Sequence, residues 1–323
     1  MGISTKPRLV FVHGIGGLRE TRAELNAWLR ALAAGLREAD YPHLVSSLTQ
    51  GWAVENRFAN YSDVYLPQQT QGGQDDAMTE AETAITVDLL TEIIDARLAD
   101  GNDLEKHQLL SLRQQLHPTG REQGVGDQVR RISYICTSLL NVPVLRETAQ
   151  WASGRRLLAD ISQVGRYLSR RTVPGTDRSL DLRARERVLS ELEPGRPAIV
   201  VAHSLGTVVA LEALQEYGGL VALFVTLGSP IATPAVVLPR LRPRPIRAPA
   251  TVQRWLDFWD HDDIVVPKRS IEKCITPNAA GVKPHSEQVS SDGLWVHSAT
   301  TYLAKRNVAG RIAEVIAALA GPV

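Results

Sequence analysis

The stretch Ile199-Val200-Val201-Ala202-His203-Ser204-Leu205-Gly206 constrains this chain more than any other. An apolar, β-branched run stops at the small Ala202, a serine follows two positions later, and a helix-like run from Thr207 to Ala210 starts at once. Such a run reads as a buried parallel strand, which puts Ser204 on a sharp strand-to-helix bend. Ala202 and Gly206 bracket the serine, and a bend this tight needs small flanks. Near the N-terminus, Leu9-Val10-Phe11-Val12 reads as a second buried strand and opens into His13-Gly14-Ile15-Gly16-Gly17. Gly14 and Gly16 could start a dinucleotide fingerprint, but its third glycine would fall on Arg19, which obstructs close helix–sheet packing.

Together, A-H-S-L-G at 202–206 and H-G-x-G-G at 13–17 resemble the α/β-hydrolase family, particularly its bacterial lipases and serine esterases. The family pattern has Gly where Ala202 stands. The ending Leu227-Gly228-Ser229-Pro230 is similar to the strand that follows the elbow helix in many lipases. The resemblance covers residues 8–40 and 197–319. It implies an α/β-hydrolase fold, a mainly parallel central sheet with helices on both faces and a nucleophile elbow at Ser204.

A chain of 323 residues can bury a large core, and its formal net charge of +1 offers no electrostatic case for nucleic acid. Cys136 and Cys274 stand alone, with no Cys or His spacing that suits a metal, and read as small reduced hydrophobes. No segment approaches the ~20 apolar residues of a membrane span. Residues 1–6 are polar and 9–12 are too short for a signal's apolar core, so the expected localisation is cytoplasmic. A mature secreted form with its leader removed fits as well.

Periodicity predicts a helix over 21–39, with Thr21 and Glu24 as a capping box and Leu25, Trp28, Leu29, Leu32 and Leu36 on one face. Strand-like runs follow at 44–48 and 57–66, and then a polar Gly/Gln-rich loop at 68–76. From 78 to about 171 the texture is helical throughout. One stripe carries Ile85, Leu89, Leu90, Ile93, Ile94 and Leu98, and a second carries Leu104, Leu109, Leu112 and Leu116 and stops at Pro118. Two more helices are expected over 129–140 and 144–168. The expected organisation is a first part of the core at 1–77, a helical cap or lid insertion at 78–172, and a second part of the core at 173–323. In that second part, helices are expected at 179–192 and 207–217, strands at 220–227 and 252–259, a Pro/Arg-rich loop at 234–249 and one closing helix at 298–319.

A serine hydroxyl becomes a nucleophile only beside a base that a third group orients. In this family the order along the chain is Ser, then Asp or Glu, then His. His285 and His297 alone come late enough, and His297, just before the closing helix with Tyr302, resembles the family's histidine loop. His285 reads as a surface residue before the final strand. Among Asp257, Asp260, Asp262 and Asp263, the run Asp263-Ile264-Val265-Val266-Pro267 aligns best with the family's acid, with Asp260 as runner-up. The others read as turn and cap residues. The resemblance implies oxyanion donors on Leu205 and on Ile15, with Gly16 as the alternative, and loop-holding and packing roles for His13 and His203.

Ile135, Leu139, Leu140, Val142 and Val144 make 134–145 the most apolar part of the insertion, either a lid face lining an acyl pocket or touching a membrane interface, or plain packing. Arg240, Arg242, Arg244 and Arg247 read as a solvated extended loop, and Arg155, Arg156, Arg166, Arg170 and Arg171 as solvent faces of helices. The resemblance thus implies a serine hydrolase of the esterase or lipase type, forming an acyl-enzyme on Ser204 from a small-molecule or lipid-like acyl substrate, without cofactor or metal. A thioesterase or an amidase/peptidase would use the same residues, and a non-catalytic binding module would keep the fold alone.

Overall fold

Residues too apolar to alternate, as at 9–12 and 199–202, must be buried on both faces of a sheet. The computed structural model describes residues 6–65, 78–100, 103–118, 124–142, 153–172, 177–263, 265–266, 270–291 and 296–320. Among these, six parallel strands form one sheet: β1 (Arg8–Val12), β2 (Glu55–Ala59), β3 (Ala198–His203), β4 (Val221–Leu227), β5 (Trp255–Asp260) and β6 (Pro284–Val289), in the order β2-β1-β3-β4-β5-β6. All six residues of β3 and all seven of β4 are buried. At roughly 1.5–3 kcal/mol per buried branched side chain, this double coverage is the main stabilising term.

The pleat sorts the side chains into two cores. Leu9, Phe11, Ile199, Val201, Leu223 and Val225 face α1 (Thr21–Glu38) and α10 (Arg306–Ala320). Val10, Val12, Val200, Ala202 and Phe224 face α7 (Leu180–Ser190) and α8 (Leu205–Leu214). The helices between β2 and β3 join this second core: α3 (Glu80–Asp100), α4 (Asp103–Leu116), α5 (Val125–Leu139) and α6 (Gly154–Leu168). They pack on one another and share apolar contacts with the sheet face, so they have no core of their own. Residues 66–77 and 143–152, and with them part of the helix expected at 144–168, lie outside the described residues.

Several sequence expectations need correction. The run at 44–48 is not a strand but α2 (Leu44–Thr49); a short apolar run does not specify its period, and this one packs against α1. The second run pairs only as Glu55–Ala59, because the Asn60 side chain accepts the Ser62 N–H (3.1 Å) and turns the chain into a 3-10 segment, Ser62–Tyr65. Thr21 and Glu24 form no capping box. Glu20 caps α1 through the N–H groups of Arg22 and Ala23, while Glu24 pairs with Arg19 (2.9 Å). The closing helix is two helices, α9 (Ala299–Leu303) and α10, broken where α1 crosses them; a Cβ on Gly35 would stand 2.6 Å from Leu303 O.

The arginine expectations divide. Arg155 and Arg156 are exposed, as are Arg242, Arg244 and Arg247. Arg240 is no solvated residue: it donates to Val236 O (2.9 Å) and pairs with Asp88 (3.1 Å). Arg166 donates to Tyr65 O (3.2 Å), and Arg171 lies 3.7 Å from the buried Glu82. Arg170 is mostly buried and bridges Asp181 of α7 (2.9 Å) and Glu212 of α8 (2.7 Å); Glu212 also accepts from Tyr167 (2.6 Å). This network ties the end of α6 to the core helices. Removing one partner of a buried ion pair leaves an uncompensated charge and costs about 3–5 kcal/mol. Arg170→Ala is therefore expected to lower stability by that amount in urea denaturation, whereas Arg155→Ala should stay within about 0.5 kcal/mol of wild type.

Candidate active site

β1 and β3 are neighbours, yet the chain leaves β1 for a helix on one face and leaves β3 for a helix on the other. Segments diverging in this way open a crevice at the carboxyl ends of the two strands. The His13–Gly17 loop and Ser204 both enter it. Ser204 adopts φ 54° and ψ −132°, a region that costs a non-glycine residue about 1–3 kcal/mol and persists only where the surroundings impose it. Here the Ser204 N–H donates to Leu227 O (3.0 Å), and the Thr207 N–H and hydroxyl both donate to Ser204 O (2.9 and 2.7 Å). Gly206 lets the bend press against β1, since a Cβ there would lie 2.2 Å from His13 O.

The bend brings Ser204 Oγ to 2.9 Å from His297 Nε2. His297 Nδ1 lies 2.7 Å from Asp263 Oδ2. A carboxylate only accepts, so Nδ1 carries the ring proton and the Nε2 lone pair faces the serine hydroxyl. Asp263 Oδ2 also accepts from the Tyr302 hydroxyl of α9 (2.8 Å), and its Oδ1 from the Val265 N–H (3.0 Å). Burial and the Asp263 carboxylate hold the Tyr302 phenol well above its ordinary pKa, so it remains a donor. Gly228 (φ +54°) leaves room at this junction, where a Cβ would stand 2.9 Å from Asp263 Oδ2 and 3.3 Å from His297 Nδ1. All three members of the hydrogen-bonded chain are buried.

Residues 142–315, more than half of the chain, match the alpha/beta hydrolase family, whose members are mostly hydrolytic enzymes. The chain belongs to that family. No curated protein and no solved structure matches it. The matched stretch runs from the residues after α5 into α10, so β1 and its glycine loop lie outside it.

The other sequence candidates take different places in this alpha/beta hydrolase. Asp260 is the last residue of β5, its Oδ1 accepting the Asp262 N–H (3.0 Å), and it does not meet His297. Asp262 is exposed beside His261. His285 is exposed on β6 rather than before it. His13 Nδ1–H donates to Gly14 O (2.7 Å), and its Nε2 accepts the Tyr61 N–H (3.1 Å). Burial, helped by Arg19, lowers its pKa to about 3, so it stays neutral. His203 is buried with its ring 4.6 Å from that of His297, and burial, then His297, keeps its pKa well below the ordinary value.

In the loop, the amide of Gly16 is taken by Gln163 Oε1 of α6 (3.2 Å). Among the described residues, the N–H groups of Ile15 and Leu205 meet no acceptor. Ser204 opens on two cavities. One, of about 40 Å³, is walled by apolar side chains, among them Leu89, Ile93, Leu140, Leu157, Ile161 and Val164. The other, of about 280 Å³, is polar and carries Arg19, Glu24, Ser298 and Thr300. Gln163 and Arg19 carry no sequence signal for this place, because their partners depend on how the loop folds. Among the described residues no cluster of three or more His, Cys, Asp or Glu suits a metal ion, and no helix is long and apolar enough to cross a membrane.

Asp257 is not a turn residue but sits within β5, accepting from Thr226 (2.8 Å) and Ser286 (2.9 Å). Burial outweighs both bonds and raises its pKa from 3.8 to about 6. Between those values the folded chain holds a proton that the unfolded chain has released, so stability falls as pH rises through the window. Asn at this position has no charge to desolvate. Relative to wild type, Asp257→Asn is thus expected to be more stable at about pH 7.5 than at about pH 4, by on the order of 3 kcal/mol, as read by urea denaturation at the two pH values.

Proposed function

We propose that this chain is a serine hydrolase of carboxylic esters that works through an acyl-enzyme on Ser204. The observation that carries the reading is the unbroken hydrogen-bonded chain from Ser204 Oγ through His297 to Asp263, set on a strained bend. In the first step Ser204 Oγ attacks the ester carbonyl while His297 Nε2 takes its proton. Asp263 keeps the ring in the productive tautomer and stabilises the imidazolium that forms. The same proton then goes to the departing alkoxide. Water, deprotonated by His297, attacks the acyl-enzyme in the second half and regenerates Ser204.

Charge on the carbonyl oxygen needs preorganised donors. The Leu205 N–H and the Ile15 N–H fill that role in this reading, and Gly16 does not, since its amide already serves Gln163. A trans peptide points its N–H away from its C=O. His13, by holding Gly14 O, therefore orients the Ile15 N–H of the same peptide. The apolar cavity would take the acyl group and the polar cavity the alcohol. The helices over 78–172 serve as the cap that closes the acyl side. Nothing in this arrangement calls for a metal or cofactor.

Fluorophosphonate labelling and hydrolysis of p-nitrophenyl esters test the reading. Ser204→Ala should abolish both, and His297→Ala should lower turnover by about 10⁶-fold while His285→Ala stays near wild type. Activity that survives Ser204→Ala removes the proposal. Asp263→Asn should be the more damaging of the two acid-loop variants, with Asp260→Asn the milder. By the measure in which one water needs about 10–15 Å³, the acyl cavity holds only a few water-sized groups. Acetyl and butyryl esters are accordingly expected to exceed palmitoyl esters in kcat/KM.

A further inference from the structure

The inserted helix α6 reaches the glycine loop with one polar side chain. Gln163 is buried, and its amide engages both backbone groups of Gly16: Nε2 donates to Gly16 O (2.8 Å) and Oε1 accepts from Gly16 N–H (3.2 Å). A glutamine supplies one donor and one acceptor from a single rigid plane, which neither Glu nor Met can do. Gly16 itself has φ +150°, and a Cβ on it would stand 2.5 Å from Arg19 Nη2, so no side chain there can steady the loop.

Peptide by peptide, the loop is held from three directions. The Gly14–Ile15 unit is held at its carbonyl by His13. The Ile15–Gly16 unit is held at its carbonyl by Arg19 Nη2 (3.0 Å) and at its N–H by Gln163. The Gly16–Gly17 unit is held at its carbonyl by Gln163 again. His13 and Arg19 both belong to the segment between β1 and α1, whereas Gln163 comes from the insertion. The same helix walls the apolar cavity with Leu157, Ile161 and Val164, the last being the residue after Gln163. It is seated on α3 through Gly165, where a Cβ would lie 2.9 Å from Glu82 O.

We infer that Gln163 is a positioning residue that fixes the oxyanion loop from the insertion, so that the helix contacting the acyl group also sets the direction of the Ile15 N–H. The inference rests on the serine-hydrolase reading for its catalytic consequence, but the clamp itself can be tested without turnover. A displaced oxyanion donor acts on the transition state and not on substrate binding, so its loss should appear in kcat.

The test compares wild type with Gln163→Met, which keeps the length and loses both hydrogen bonds, and with Ser162→Ala on the same helix, whose hydroxyl, among the described residues, bonds to Ala159 O. Hydrogen exchange of the amides at 14–18 should quicken in Gln163→Met and stay unchanged in Ser162→Ala. On p-nitrophenyl butyrate, kcat should fall about 10–100-fold with KM within about twofold. Affinity for a butyl trifluoromethyl ketone, whose serine adduct carries an oxyanion, should weaken in parallel. A merely structural role would lower the melting temperature without that parallel. Unchanged exchange overturns the clamp, and faster exchange with wild-type kcat overturns the positioning role. Loss of the serine reading would show separately, as turnover in wild type that does not depend on Ser204, and the exchange data would still decide the clamp.

Discussion

Two backbones pass each other at contact distance where β1 and β3 end, and the rest of the site hangs on that approach. A Cβ on Gly206 would enter the carbonyls of His13 and Val12, and one on Gly14 would stand 2.5 Å from Ser204 Cβ. The strained φ of Ser204 is held by this crowding and by the hydrogen bonds from the neighbouring strand and helix. The local cost is small beside the burial of β3 and β4 on both faces, which makes the sheet stiff enough to hold it. The same approach brings the glycine loop across the serine, so that one feature of the sheet's winding positions two elements of the candidate site.

Burial then sorts the ionisable groups. His13 and His203 are kept neutral by desolvation, and for His203 the neighbouring His297 acts in the same direction. In the proposed reaction, a neutral ring 4.6 Å from His297 adds no like charge to the imidazolium that would form there. Asp263, also buried, accepts from Val265, Tyr302 and His297. Asp257 accepts from two hydroxyls, and burial drives its pKa upward. Carboxylates in one sequence cluster thus differ through their partners, not through their position in the chain.

The fold class was legible because the strands at 9–12, 199–203 and 221–227 are apolar runs bounded by glycine, proline or a sharp bend, and a parallel sheet needs such runs. Long helices such as 80–100 and 103–116 were legible for a similar reason, their apolar stripes repeating over several turns. Short elements were not. Leu44, Val45 and Leu48 suit a strand or one turn of helix equally, and packing on α1 decides between them. The arginines at 166, 170 and 171 looked like solvent faces because charge patterning carries no record of a carboxylate such as Glu212, some forty residues away, that can accept them.

By itself, the sequence determined that a serine would stand at the end of a buried strand, that a glycine loop would follow another, and that a histidine and several aspartates would come later in the order this family uses. These are local properties, written in runs, bends and residue sizes. Tertiary structure alone decided which aspartate meets His297, that Gly16 spends its amide on Gln163, and that Ser204 lies between an apolar and a polar cavity. Each of those depends on groups tens to well over a hundred residues apart reaching hydrogen-bond or van der Waals distance, and such distances are set by the packing of the layers, not by the spacing of residues along the chain.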